Sequence, residues 1–131
     1  MAEFTQNLGI EMLRMADGEC VMELEPTDFH MSRASRAHGG VLFSMLDTAL
    51  GRAVLSKLPE GRGCATLEAS IHYFRPVQHG RIRAVGQVVR MTRRTAYAEG
   101  QLIDSEDNVL ASASGTFFLT ETMKQADRER V

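Results

Sequence analysis

The chain has 131 residues, enough for one domain with a sizeable core. Its 15 Lys and Arg against 17 Asp and Glu leave a formal net charge of −2, which excludes the strong one-signed field of a nucleic-acid or membrane-surface binder. Residues Met1 to Asn7 show no apolar leader segment, and no apolar run approaches the ~18 residues of a membrane span. Cys20 and Cys64 are too few for a disulfide framework and read as reduced thiols of a cytoplasmic protein. His30, His38, His72 and His79 are scattered, with no helical pair four apart, so no zinc or other metal site is expected.

In chain order, residues 1–6 and the charged stretch 124–131 read as loose ends of a single domain spanning 1–131. Two strands follow, 8–16 and 19–26, around the turn Asp17-Gly18. The second, "ECVMELEP", places Cys20, Met22 and Leu24 on one face and Glu19, Glu23 and Glu25 on the other. Residues 27–37 are polar and unpatterned and read as a loop. A helix of about 18 residues comes next and stops near Leu58-Pro59, with Gly61 and Gly63 behind it. The stretch "CATLEASIHYFRP" alternates, with Ala65, Leu67, Ala69, Ile71 and Tyr73 against Thr66, Glu68, Ser70 and His72. Three more strands are expected at 80–91, 95–104 and 109–119. The last has Ala111, Ala113 and Gly115 on its inner face, which suggests close approach by another element. A hairpin, one long helix and a four-strand meander make an α+β fold, an antiparallel sheet curled around a central helix.

The helix raises the chemical question. On a wheel, Val41, Leu42, Phe43, Met45, Leu46, Ala49, Leu50, Ala53 and Val54 cover most of the circumference, so it is expected to be buried on most sides. The remaining arc holds Gly40, Ser44, Asp47, Thr48 and Gly51. Asp47 there is either an arginine partner or loop cap, or a base or nucleophile in a ligand site. His38-Gly39-Gly40 opens the helix. First-turn N–H groups lack internal partners and carry the positive end of the helix dipole, so Gly39 is a candidate oxyanion donor. The bland alternative is a tight loop-to-helix turn, with His38 a structural hydrogen-bonder. Asp47 lies eight residues beyond Gly39, ~12 Å along the axis at 1.5 Å per residue. One reacting group cannot touch both, so a shared site requires Asp47 of one chain and Gly39 of another, in a dimer with two sites.

With those residues in view, "HGGVLFSMLDTALG" resembles the signature of hotdog-fold acyl-CoA thioesterases of the phenylacetate-degradation PaaI type, in which Asp follows the histidine by nine. "LEASIHYFRPVQHGRIRAVGQVVRMTRRTAYAEGQLIDSEDNVLASASGTF" is similar to the remainder of that pattern, and the resemblance covers roughly residues 8–119. It implies a homodimer, usually paired into a tetramer, that hydrolyses acyl-coenzyme A. Coenzyme A enters as part of the substrate, with no separate cofactor. In this resemblance Asp47 attacks the thioester or activates water, and the partner's Gly39 N–H polarises the carbonyl. Thr66 orients water or substrate, and His38 supports the site loop. Two departures stand out: the usual Asn six residues before the histidine is Ser32, and the usual Gly three before it is Ser35. A serine hydroxyl still hydrogen-bonds but lacks the amide NH₂. His30 is a candidate to compensate.

Arg90, Arg93, Arg94 and Arg75 are candidates for the phosphorylated end of coenzyme A, with a solvated turn as the alternative for the first three and pairing with Glu68 for Arg75. Lys57 and Arg62 are weaker candidates. A hotdog hydratase or dehydratase and a non-catalytic acyl-CoA binder remain as other readings. A Ser-His-Asp hydrolase does not fit, because no Gly-x-Ser-x-Gly elbow is present.

Overall fold

The computed structural model describes residues 3–121. Its elements are α1 (Glu3–Leu8), β1 (Glu11–Ala16), β2 (Glu19–Leu24), a 3-10 turn (Asp28–His30), α2 (Gly39–Leu55), β3 (Gly63–Tyr73), β4 (Ile82–Met91), β5 (Thr95–Asp104) and β6 (Val109–Thr120). The strands form one antiparallel six-stranded sheet in the order β1-β2-β4-β5-β6-β3. Helix α2 packs against every strand, the sheet-around-helix α+β arrangement expected from the sequence.

Local chemistry sets the boundaries. Asp17 and Gly18 both take positive φ, 54° and 83°, the primed turn that matches strand twist. At the amino end, Gly9 at φ 80° closes α1, and the Ile10 N–H donates to the Thr5 carbonyl. The strand therefore begins at Glu11 rather than at residue 8. Residues 3–6, expected to be loose, belong to α1, and Thr5 is buried. Residues 124–131 lie outside those described. Helix α2 stops at Leu55, short of Leu58-Pro59. There the Ser56 and Lys57 N–H groups turn back to the Arg52 and Val54 carbonyls, and Ser56 Oγ accepts the Gly18 N–H.

Met45 and Leu46 of α2 pack in one cluster with Met22, Ile82 and Leu102, and Leu50 packs in a second with Phe117, all fully buried. The helix lies close on the sheet because glycines face it. A Cβ on Gly86 would stand 2.7 Å from the Ala49 carbonyl oxygen, and one on Gly100 would stand 3.0 Å from Leu50 Cδ2. Cys20, Met22 and Leu24 face the core as expected. Glu23, expected on the polar face, is buried beneath Arg81 and Arg83, whose hydrogen bonds hold its carboxyl below the usual carboxylate range, Arg83 most strongly.

Two features differ from the sequence expectation. The four strands after the helix are not a meander: β4, β5 and β6 are, but β3 pairs only with β6 and forms the far edge of the sheet. Alternation reports which face a residue takes and says nothing about which strand it joins. Second, β3 carries a bulge. Thr66 pairs with Phe117 but Glu68 pairs with Thr116, so one residue is inserted at Leu67. The expected single face from Ala65 to Tyr73 is therefore broken. Thr66 takes the helix side together with Ala69, Ile71 and Tyr73, and Leu67 is left 60% exposed.

Candidate active site

Asp47 projects from the middle of α2, half-buried, on the arc it shares with Ser44, Thr48 and Gly51. That arc is wider than the polar residues alone. Val41 and Phe43, expected to be buried, are only half-buried beside it, as is Leu55. The Thr66 hydroxyl donates to Asp47 Oδ1 at 3.0 Å, from the stretch of β3 before the bulge, where Cys64 also faces the helix. A cavity of about 140 Å³ opens at this pair, lined by Asp47, Thr48, Gly51, Arg52, Cys64, Thr66 and Phe117. Asp47 has no arginine ion pair among the described residues, in contrast to the bland reading of it.

Cys64, Phe117 and Arg52 are site residues that the sequence reading does not single out. Cys64 donates to the Gly51 carbonyl at 3.5 Å, and burial, with Asp47 nearby, pushes its thiol up to about 11. It stays protonated at neutral pH and is not a nucleophile. Both cysteines are free thiols, as expected. Arg52 is buried and reaches Met12 Sδ at 3.5 Å. No sequence signal marks Cys64 and Phe117, because only the fold of β3 and β6 over α2 brings them to Asp47, whereas Arg52 reaches the cavity from α2 itself.

The helix entrance is a separate place. His38 caps α2, its Nδ1 accepting the Gly40 N–H at 2.8 Å, while its carbonyl accepts the Val41 N–H at 2.9 Å. The Gly39 N–H is the first-turn donor left without an acceptor among the described residues. The Tyr73 hydroxyl donates to the Gly39 carbonyl at 2.7 Å. Beside Gly39 lies a hollow of about 330 Å³, lined by Arg36, Ala37, Leu42, Tyr73, Phe74, Arg75, Pro76 and Val77 as well as Gly39 itself. Since α2 is unbroken from Gly39 to Leu55, Asp47 stays ~12 Å along the axis from Gly39.

Ser32 is not brought to Asp47. Its hydroxyl donates to the Arg36 carbonyl at 2.9 Å, and its N–H does the same at 2.7 Å, closing the loop before α2. Ser35 in that loop takes φ 57°, a conformation that favours glycine. His30 is also taken up by structure. It is buried, its Nδ1 accepts the Thr27 N–H at 3.0 Å, and its Nε2 lies 2.6 Å from the Leu8 carbonyl.

The arginines fall into two groups. Arg75 borders the Gly39 hollow and is not paired with Glu68, whose carboxylate instead accepts the Ser70 hydroxyl at 2.6 Å. Arg93 and Arg94 stand with Arg62 at the opposite end of β3 and β6, around an open concavity with Phe118 and Leu119. Along β3 the two ends are roughly 30 Å apart at ~3.3 Å per residue. Arg90 is exposed on β4, and none of Arg90, Arg93 and Arg94 lines the Asp47 cavity.

Proteins of known structure share this fold. The family pattern of the "Thioesterase superfamily" matches residues 35–111, from the loop before α2 into β6. The conserved protein PA5202 of Pseudomonas aeruginosa superposes with a TM-score of 0.88 at 29% identity, over 91% of this chain and 94% of that one. A mutant of the phenylacetic acid degradation protein PaaI from Thermus thermophilus gives a TM-score of 0.81 at 30% identity, over 88% of this chain and 96% of that one. The acyl-coenzyme A thioesterase PaaI of Escherichia coli is 27% identical over 109 residues, 82% of this chain and 76% of that protein.

Proposed function

The chain belongs to the thioesterase superfamily and has its hotdog architecture, and we propose that it hydrolyses the thioester of an aryl- or medium-chain acyl-coenzyme A to the free acid and coenzyme A. The observation that carries this reading is Asp47, mid-helix at a cavity and hydrogen-bonded by Thr66 at 3.0 Å, with no arginine among the described residues to pair with it. Asp47 acts as nucleophile on the thioester carbonyl or as general base for water, and Thr66 fixes the carboxylate. As nucleophile it forms a mixed anhydride and expels the coenzyme A thiolate, and water then hydrolyses the anhydride. As base it takes the proton of the attacking water, which passes to the leaving thiolate.

The oxyanion donor is the Gly39 N–H of a second copy, because ~12 Å of helix separates Gly39 from Asp47 within one chain. The edge strand β3 supports a dimer. It is eleven residues long, pairs on one side only among the described residues, and leaves Leu67 60% exposed, with Phe74 just beyond it 58% exposed. The half-buried Val41, Phe43 and Leu55 are further apolar surface for a partner to cover. An antiparallel β3–β3 pairing that sets Thr66 opposite the partner's Tyr73 brings Asp47 of one chain to Gly39 of the other. It also gathers the two arginine groups around each site, where they would meet the phosphates of coenzyme A.

The test is thiol release from a panel of aryl- and alkyl-coenzyme A esters by wild type and Asp47→Asn. Wild type is expected to turn over some members, and the variant to lose about 10²-fold or more in kcat. Binding of esters without turnover by wild type would instead establish the non-catalytic reading. In that reading Ser32, held on the Arg36 carbonyl, cannot help orient water or thioester.

A further inference from the structure

Beyond Asp47 and Gly39, we propose that Tyr73 is a positioning residue for thioester cleavage, holding the peptide next to the Gly39 N–H in the orientation that stabilises the oxyanion. The inference rests on the hydrolase reading above. A lone backbone donor works only if it is held still before the substrate arrives, and glycine has the freest backbone of any residue.

The peptides around Gly39 are pinned at every end but one. The 39–40 peptide has its carbonyl on the Tyr73 hydroxyl, 2.7 Å, and its N–H on His38 Nδ1, 2.8 Å. The 38–39 peptide has its carbonyl on the Val41 N–H, 2.9 Å. The remaining end is the Gly39 N–H. Two of these constraints come from within the helix entrance. The third, from Tyr73, ties the entrance to the sheet through a residue 34 positions away.

The glycine itself fits this role. A Cβ at position 39 would stand 3.2 Å from the Tyr73 hydroxyl and 3.3 Å from its Cζ, so the missing side chain makes room for the tyrosine. Burial raises the Tyr73 phenol above its ordinary range, which keeps it a proton donor through neutral pH. The bulge in β3 matters here too. Thr66 and Tyr73 are seven residues apart and would face opposite sides of a regular strand. The inserted residue lets one strand serve both catalytic halves, Thr66 for Asp47 and Tyr73 for Gly39.

Tyr73→Phe removes the hydroxyl and keeps the ring. With the best ester of the panel, kcat is expected to fall about tenfold or more with KM within about twofold, since the lost effect is realised only in the transition state. The Gly39 and Gly40 amide resonances of the ligand-free protein should shift in the same variant. A tyrosine that merely pins strand to helix would lower the melting temperature and leave kcat unchanged. That result, with Asp47→Asn inactive, overturns the Tyr73 role alone. Full activity in Asp47→Asn overturns the Asp47 site and the Tyr73 role that rests on it, and no turnover by wild type overturns the hydrolase reading itself.

Discussion

Asp47 draws its chemistry from where it stands rather than from its neighbours in sequence. The Thr66 hydroxyl holds one carboxylate oxygen and leaves the other for water or the thioester. Thr66→Ala should therefore lower kcat by about tenfold, the order of one charge-assisted hydrogen bond, with little change in KM or melting temperature. Steady-state kinetics beside a thermal melt separates this from a folding defect. Asp47, Gly39 and His38 can be named from spacing and helix physics alone, since a carboxylate in a small-residue arc and glycines at a helix entrance are local patterns. Tyr73 and Cys64 cannot. Each lies on β3 and reaches α2 only when the strand folds across it. Ser32, assigned a site position only by the family resemblance, has its hydroxyl consumed by the loop it closes.

At the scale of elements, glycine sets how close helix and sheet approach. A methyl on Gly86 would meet the Ala49 carbonyl oxygen at 2.7 Å, and rigid backbone cannot yield as a side-chain tip can. Gly86→Ala should destabilise the fold by about 3 kcal/mol, the upper end of ordinary overpacking, measured by denaturant unfolding. Gly51 is different. A Cβ there meets Phe117 at an ordinary 3.5 Å, so its importance lies in the cavity it borders rather than in helix packing. The small residues of β6 announce a close neighbour in the sequence, and Gly115 does lie against Leu50. The bulge at Leu67 leaves no such mark. An inserted residue alters the register of two strands, and period-two alternation read along one strand continues straight through it.

Over the whole molecule, the halves of the proposed site lie ~12 Å apart along one helix, so activity should require two chains. Gly39→Pro removes the N–H at a first-turn position, after a residue already extended at ψ 134°, and its Cβ also crowds the Tyr73 hydroxyl at 3.2 Å, so the variant disables the whole Gly39 half of the site. Asp47→Asn and Gly39→Pro should each be inactive alone. Co-refolded in equal amounts, about half the dimers are mixed and carry one intact site of two, so the mixture should recover about one quarter of wild-type activity. No recovery, with mixed dimers demonstrated by mass spectrometry, would place both groups in separate roles and sink the shared site.

The sequence by itself determined the α+β class, the long apolar helix, most strand positions and the Gly39 to Asp47 spacing along one axis. These are consequences of local periodicity and of a fixed rise per residue, which need no knowledge of partners. Tertiary structure alone decided that β3 lies at the sheet edge beside β6, that a bulge turns Thr66 and Tyr73 to the same side, and that Glu23 is buried under two arginines. Strand order, bulges and ion pairs are contacts between segments distant in the chain. Their energies depend on which surfaces meet, and no local pattern encodes that meeting.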